Sequence, residues 1–477
     1  MALKVGVERR GIARRARFKA KSLAEDSGQT LSGYKASLRV FLLVLLVSAL
    51  MGVAARAFLL ALDAATAFRE EHPVCFLFLP VVGVVTALLY HGYGKRAARG
   101  NNLVIETALH GGLIRARMAV LTFCCSVATH LVGGSAGREG AAVQIGGTIA
   151  SNVSNKFHLD ERDNRYLMLA GISAAFGGVF GTPLAGAFFG MEMCYVGKLE
   201  YSAALYCLVA SFMGDTVAQV LGAEHTFQSI AHVHELDWGL LAVVALCAAL
   251  FGLLARLFSF SIRQVKAFYA KHLKNYVVRA LVGSLVLLGA YALLGGWDYA
   301  GFAEWLVEAG FDGDTTPLDT LLKLLYTALT VGAGFQGGEV TPLFGMGASL
   351  GGWIGQTFLG DPSFMAAIGM LSMFAGALNV PITAIMLGID MFGGASAGYY
   401  IVAAFVSYFV AGHHSLYPAQ QIVTPKRRTL SDDESLTVDE AMRQHREDID
   451  EAVEEKLAVY EEEEGRQAEE KEDGYEQ

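Results

Sequence analysis

The chain repeats itself at long range. Around Pro183 it reads FGGVFGTPLAGAFFGMEM (Phe176–Met193), and around Pro381 it reads FAGALNVPITAIMLGIDM (Phe374–Met391). The two segments align without a gap: Phe176 meets Phe374, Gly178 meets Gly376, Pro183 meets Pro381, Gly190 meets Gly388, Glu192 meets Asp390 and Met193 meets Met391. Upstream, GREGAAVQIGG (Gly137–Gly147) pairs with GGEVTPLFGMG (Gly337–Gly347). The interval from Glu139 to Pro183 is 44 residues and that from Glu339 to Pro381 is 42. Two halves with matching Gly- and Pro-interrupted apolar segments describe a transporter built from structural repeats. Its substrate site is expected where the interrupted segments meet, near the membrane midplane. The sequence leaves open whether the repeats are inverted or parallel.

Composition supports a membrane reading. The chain is 53% hydrophobic and 17% charged, against about 25% charged in soluble domains, which excludes a soluble multidomain enzyme. Runs long enough to cross a bilayer fall at about 40–62, 74–92, 199–222, 236–260, 277–296 and 398–411. Shorter apolar pieces fall near 118–133, 141–154, 166–180, 183–195, 318–335, 341–357, 364–379 and 381–393. These read as tilted, re-entrant or broken helices, tolerated at membrane depth only where protein or an aqueous cavity surrounds them. The expected organisation is a basic N-terminal segment (1–37), a first transmembrane repeat (38–225), a second (226–425) and an acidic tail (426–477).

The charge of −9 is concentrated in that tail, which holds 20 acidic and 8 basic residues; residues 1–425 hold 26 acidic and 29 basic. Residues 1–37 contain no apolar signal-peptide core. They do contain Arg9, Arg10, Arg14, Arg15, Arg17, Lys19 and Lys21, which the positive-inside rule places in the cytoplasm. Within the tail, Thr437–Glu440 is a capping-box pattern that could start a charged helix. Val438, Met442, Ile449 and Val453 could form a thin apolar stripe, and Glu461–Glu464 suggests disorder. A solvated tail and a regulatory or assembly helix are both open. The six cysteines lie in or beside apolar stretches without C-x-x-C spacing and read as small buried hydrophobes. No phosphate loop, nucleophile elbow or zinc motif appears, so no enzyme activity, cofactor, metal or nucleic-acid partner is expected.

Two carboxylates stand out. Glu139, in GGSAGREGAAVQIGG, falls at the first turn of an apolar helix, where backbone N–H groups are unpaired and the dipole end is positive. Such an end binds anions. An ionised Glu139 can fill that site itself and a protonated one can leave it, which couples gating to a proton. An ionisable group at membrane depth costs roughly 2.5–3.5 kcal/mol on insertion scales, which marks it as functional. The plainer reading is an ion pair with Arg138. Glu339, in GGEVTPLF, occupies the matching point of the second half, with the Thr341 hydroxyl two residues on. Its plainer reading is a cap on its own helix.

GREGAAVQIGG, GGEVTPLF and Gly100-Asn101-Asn102-Leu103-Val104 resemble the three anion-pathway motifs of the CLC family of chloride channels and anion/proton antiporters, whose usual forms are GREGP, GxFxP and GSGIP. Tyr417, in HHSLYPAQ, resembles the tyrosine whose hydroxyl touches the bound anion. The departures are specific. Asn101 stands where the anion-binding serine is usual, Glu339 where an apolar residue is usual, and Ala141 where proline is usual. Together they resemble the bacterial subgroup that exports fluoride in exchange for protons. Fluoride is small, hard and strongly hydrated, and an Asn amide offers two donors where a serine hydroxyl offers one. The family's inner proton glutamate aligns with Met193. Glu192 lies one residue earlier, turned by about 100°, and reads as a structural carboxylate.

The resemblance implies an all-α polytopic membrane protein with the CLC-type fold: two structurally repeated halves with broken and re-entrant helices. It implies a homodimer in the bacterial inner membrane with both termini cytoplasmic, carrying fluoride outward against protons. Glu139 and Glu339 are the expected gating and proton-transfer residues. Asn101, Asn102, Gly140, Val340, Thr341 and Tyr417 are the expected anion contacts. A chloride or nitrate/proton antiporter and an uncoupled anion channel are the alternatives.

Overall fold

The computed structural model describes the backbone of residues 2–225, 227–426 and 432–447, and side chains from residue 35 onward within those ranges. The basic N-terminal cluster, Ile449, Val453 and Glu461–Glu464 lie outside the described side chains.

Eight helices make up the first half: α1 (Ala2–Glu71), α2 (Leu79–Gly92), α3 (Asn101–His110), α4 (Arg117–Leu131), α5 (Glu139–Lys156), α6 (Glu161–Phe180), α7 (Pro183–Glu192) and α8 (Ala204–Val220). Eight more make up the second: α9 (Trp238–His272), α10 (Tyr276–Leu294), α11 (Glu304–Asp312), α12 (Pro317–Ala333), α13 (Val340–Ile354), α14 (Pro362–Leu378), α15 (Pro381–Phe392) and α16 (Ala397–Ala411). The halves match helix for helix. Among the described residues, six spans are long and apolar enough to cross a membrane: Lys35–Glu71, Pro73–Gly92, Tyr201–Val220, Trp238–His272, Tyr276–Leu294 and Gly394–Ala411. They coincide with the six long runs of the sequence. The expected short pieces are α4–α7 and α12–α15; α3 and α11, too brief and mixed to show as apolar runs, complete each half.

The outer faces are apolar. On α9, Leu246, Leu250, Leu253 and Leu257 recur at helical spacing and are all exposed. A helix that is apolar on both its packed and its open side fits a bilayer. The inner helices are almost wholly buried; every residue of α14 from Ser363 to Leu378 is buried. Of the six cysteines, Cys124 differs from expectation: it is exposed, on the outer side of α4, while the other five are buried.

Two reciprocal contacts relate the halves by a pseudo-two-fold axis. At the first, the loops preceding α5 and α13 form an antiparallel bridge, with Gly137 N donating to Gly338 O and Gly338 N to Gly137 O, both at 2.6 Å. At the second, α7 and α15 exchange carboxylates. Glu192, at the end of α7, accepts from Ile382 N (3.1 Å), Thr383 N (2.8 Å) and Thr383 Oγ1 (2.7 Å) at the start of α15. Asp390, near the end of α15, accepts from Ala185 N at the start of α7 (2.9 Å). Each carboxylate supplies acceptors to helix N–H groups that have no intrahelical partner. Glu192 is thereby a structural carboxylate. Equivalent helices meet head-on or antiparallel, so the repeat is inverted.

Residues 432–447 are not a free tail. Thr437 and Glu440 form the expected capping box, with Thr437 Oγ1 donating to Glu440 Oε2 and Glu440 N to Thr437 Oγ1. The helix that follows (438–447) seats Val438 and Ala441, fully buried, against Val196, Tyr408 and Ile422. Next to it, Tyr195–Val196 (β1) pairs in parallel with Gln421–Ile422 (β2).

The carboxylate exchange generates a stability prediction. Glu192→Ala strips three buried donors of their acceptor and is expected to cost about 3 kcal/mol. It should lower the thermal unfolding midpoint in detergent; an unchanged midpoint would show that the α7–α15 contact contributes nothing.

Candidate functional site at the junction of three helix ends

The N-termini of α5 and α13 face each other, and this meeting point gathers most of the residues singled out in the sequence. The loops leading into it are held rigidly. The buried His130 ring lies between Ser126 O (2.8 Å from Nδ1) and Ala136 O (3.0 Å from Nε2), and its N–H donates to one of them at the loop before α5. From α12, Thr330 Oγ1 accepts from Ser135 N and Thr327 Oγ1 bonds Ser135 Oγ. The close approach requires glycine. A Cβ added at Gly338 would lie 2.7 Å from Gly140 N, and one at Gly140 would lie 3.0 Å from Gly338 Cα. Gly100, just before α3, has φ +56°, a left-handed conformation that only glycine adopts cheaply. It turns the chain so that Asn101 starts its helix at the junction.

Glu139 is the first residue of α5 and is 2% exposed. Its Oε2 accepts from Thr341 N (3.2 Å) and Thr341 Oγ1 (2.6 Å), at the first turn of α13. It also accepts from Arg138 N (3.2 Å), while Oε1 lies 3.5 Å from Arg138 Nε. The carboxylate thus lies beside Arg138 and also on first-turn donors of α13, and a helix end of this kind offers unpaired N–H groups to negative charge.

Around it lie polar groups with no partner among the described residues: Asn101 Oδ1, Glu339 Oε2 and Tyr417 Oη. Asn101 Nδ2 and Glu339 Oε2 both border Gly140, at 3.1 and 3.5 Å from where its Cβ would be. The Tyr417 hydroxyl interacts electrostatically with both Glu339 and Glu139. Neither Asn101 nor Glu339 caps its own helix with its side chain. The first-turn N–H groups of Gly140 and Val340 complete the cluster. Asn102 is directed elsewhere: its Oδ1 accepts from Ala419 N (3.1 Å), two residues past Tyr417.

The equivalence of the two glutamates is corrected by the structure. Arg138 and Glu339 are the residues that precede α5 and α13, with φ of −106° and −101°. The offset at this point is 201, so Glu339 corresponds to Arg138, Glu139 to Val340 and Gly140 to Thr341. At the prolines the offset is 198, because α6 has 20 residues and α14 has 17. A motif match on "GE" and "RE" hides this shift.

Glu139 and Thr341 line a cavity of about 510 Å³ that also touches Arg138, Phe180, His225 and Phe344. Asn101, Glu339 and Tyr417 are not among its lining residues. His225 was not foreseen. It lies in the irregular linker between the halves, over Gly181, and nothing in its local pattern marks it.

Comparison with known proteins now fits this geometry. The voltage gated chloride channel description matches residues 82–412. A chloride/fluoride channel protein of Pseudomonas syringae pv. tomato is 38% identical over 386 residues, covering 79% of this chain and 85% of its own. The chain belongs to the CLC family. An H(+)/Cl(-) exchange transporter of Vibrio cholerae is 25% identical over 338 residues, 66% of this chain and 71% of its own. Among solved structures, a CLC-type fluoride/proton antiporter superposes with a TM-score of 0.78 at 34% identity, covering 81% of this chain and 98% of its own. A cyanobacterial Cl-/H+ antiporter superposes with a TM-score of 0.67 at 20% identity, covering 78% of this chain and 94% of its own, which speaks to the fold. The protein is thus a polytopic CLC protein of anion transport, similar both to a chloride/fluoride channel protein and to a CLC-type fluoride/proton antiporter.

The tight junction of this CLC protein makes a backbone prediction. Gly338→Ala is expected to destabilise by about 1–3 kcal/mol, the cost of overpacking. Gly289→Ala, in α10 with open space around it, should stabilise by about 0.5–1 kcal/mol. Thermal midpoints in detergent that move together in both variants would count against the close approach.

Proposed function

We propose that the protein is a fluoride/proton antiporter that exports fluoride across the bacterial inner membrane, with Glu139 as gate and proton carrier. The observation that carries this reading is the Glu139 carboxylate bonded to Thr341 N and Oγ1 at the α13 terminus. In its ionised form Glu139 occupies the anion position. Protonation removes its charge and its hold on those donors, so fluoride can replace it. A protonated acid can also donate a hydrogen bond to fluoride, which accepts one readily.

Selectivity is assigned to Asn101 and Glu339. The Asn101 amide presents two N–H donors on one nitrogen to a strongly hydrated ion. Glu339, with a buried oxygen lacking a partner, is the second proton-transfer residue. Gly140 N, Val340 N, Thr341 and Tyr417 Oη supply the remaining donors. Asn102 serves indirectly, by holding the Tyr417 loop. The basic cluster of residues 1–37 supports cytoplasmic termini, and the family resemblance supports a homodimer. An uncoupled channel is the second reading, favoured by the name of the Pseudomonas relative.

Purified protein in liposomes loaded with fluoride or chloride, with pH recorded outside, distinguishes the readings. Fluoride efflux should exceed chloride efflux and be accompanied by inward proton movement. Glu139→Gln should abolish the proton movement; unchanged coupled fluxes would remove Glu139 from the gate. Asn101→Ser should reduce the preference for fluoride about tenfold, on the order of one buried hydrogen bond. Fluoride flux without protons would make the protein a channel.

A further inference from the structure

The segment after the last membrane helix is bonded directly to the loop that carries Tyr417. Asp439 N donates to Pro418 O (3.0 Å) and Val438 N to Gln420 O (2.9 Å). The first turn of the 438–447 helix therefore spends its N–H groups on the residues that follow Tyr417. The same segment enters a chain of buried side chains. Asp433, 2% exposed, accepts from His413 Nδ1 (2.7 Å) and lies 2.9 Å from His445 Nε2. His413 Nε2 accepts from Lys426 N (3.0 Å). Lys426 Nζ donates to Asn379 Oδ1 (2.5 Å), Tyr408 O (2.7 Å) and Gly412 O (2.5 Å). Asn379 Nδ2 donates to Gln420 Oε1 (3.1 Å), which also accepts from Ser415 Oγ (2.7 Å). Ser415 Oγ in turn accepts from Tyr417 N (3.0 Å).

Tyr417 is thus reached by two routes, one through the backbone of 418–420 and one through Lys426, Asn379, Gln420 and Ser415. Gln420 Nε2 extends the hold to Met193 O and Leu378 O, at the ends of α7 and α14. Yet the Tyr417 hydroxyl itself has no hydrogen-bond partner among the described residues. A loop anchored so heavily around a side chain whose tip is unpaired is built to present that tip.

We propose that residues 432–447 form a clamp that sets the position of the Tyr417 hydroxyl in the anion path, with Asp433 as its anchoring positioning residue. This rests on the reading of Tyr417 as an anion contact. Asp433 touches no transported ion; it acts on transport by fixing where Tyr417 lies.

The test uses the full chain in liposomes, with sodium fluoride as the probe and efflux read against fluoride concentration. Asp433→Ala is expected to raise the half-saturating concentration about fivefold, the scale of one lost hydrogen bond, and to leave the maximal rate within about twofold. Tyr417→Phe should raise it similarly, and the double variant should be no worse than Tyr417→Phe alone, since both changes remove one contact. Additive effects, or an unchanged Asp433→Ala, overturn the proposal. Hydrogen exchange of residues 415–420 gives a second readout that needs no transport: it should speed up in Asp433→Ala, and unchanged exchange overturns the clamp. If the protein carries chloride in place of fluoride, the fluoride reading fails while the same cycle, run with chloride, still judges the clamp. Should Asp433→Ala fail to fold, His445→Ala, at the more exposed end of the chain of contacts, is expected to shift both readouts in the same direction by a smaller factor.

Discussion

The structure depends on how it disposes of helix N-termini buried at membrane depth. A helix that starts inside the membrane leaves N–H donors without intrahelical acceptors, and no bulk water is there to serve them. This chain starts α5, α7, α13 and α15 in its interior. At α7 and α15 the deficit is closed permanently, because Asp390 and Glu192 sit on the opposite helix starts. At α13 it is closed by Glu139. The same device is therefore used at both places. What separates them is that Glu139 and Thr341 also line a cavity, whereas Glu192 and Thr383 do not line that cavity.

Small residues make the arrangement geometrically feasible. Side chains at Gly338 or Gly140 would hold the α5 and α13 termini apart. The distance between donors and carboxylate would then exceed hydrogen-bond reach. Close backbone packing, a hydrogen-bonded Gly137–Gly338 bridge and loops held by His130, Thr327 and Thr330 leave the junction little freedom.

Much of this was legible in the chain. The gapless match around Pro183 and Pro381 revealed the two halves, because α7 and α15 begin at those prolines and exchange their carboxylates in the same register. The six long spans were visible because lipid-facing helices such as α9 are apolar on all sides. The helices α3 and α11 were not, since ten and nine residues of mixed character carry no distinctive period. The junction residues were readable from glycine-rich motifs, but those motifs match Glu139 with Glu339, whereas the backbone matches Glu139 with Val340 and Arg138 with Glu339. A three-residue difference between α6 and α14 shifts the offset, and only the backbone shows which residue precedes each helix. The docking of 432–447 was half legible: Thr437 and Glu440 marked the helix start, while the buried Asp433–His413 contact joins residues whose proximity depends on the path of the intervening chain.

The departures from symmetry at the junction are what allow a symmetric scaffold to have a direction. A perfect inverted repeat would present the same groups to both sides of the membrane and could not distinguish them. Here the three paired positions all differ: Arg138 against Glu339, Glu139 against Val340, Gly140 against Thr341. The first half supplies a carboxylate with a guanidinium beside it, and the second supplies a hydroxyl and a helix terminus with a carboxylate before it. Charge, acceptor and donor thus fall on opposite sides of one pseudo-two-fold axis. The Glu139 carboxylate meets Thr341 across that axis, where an exact repeat would set the side chain of Val340 against Gly140 in return. The backbone symmetry brings the two helix ends together, and the substitutions at these six positions leave the carboxylate on one of them and its donors on the other.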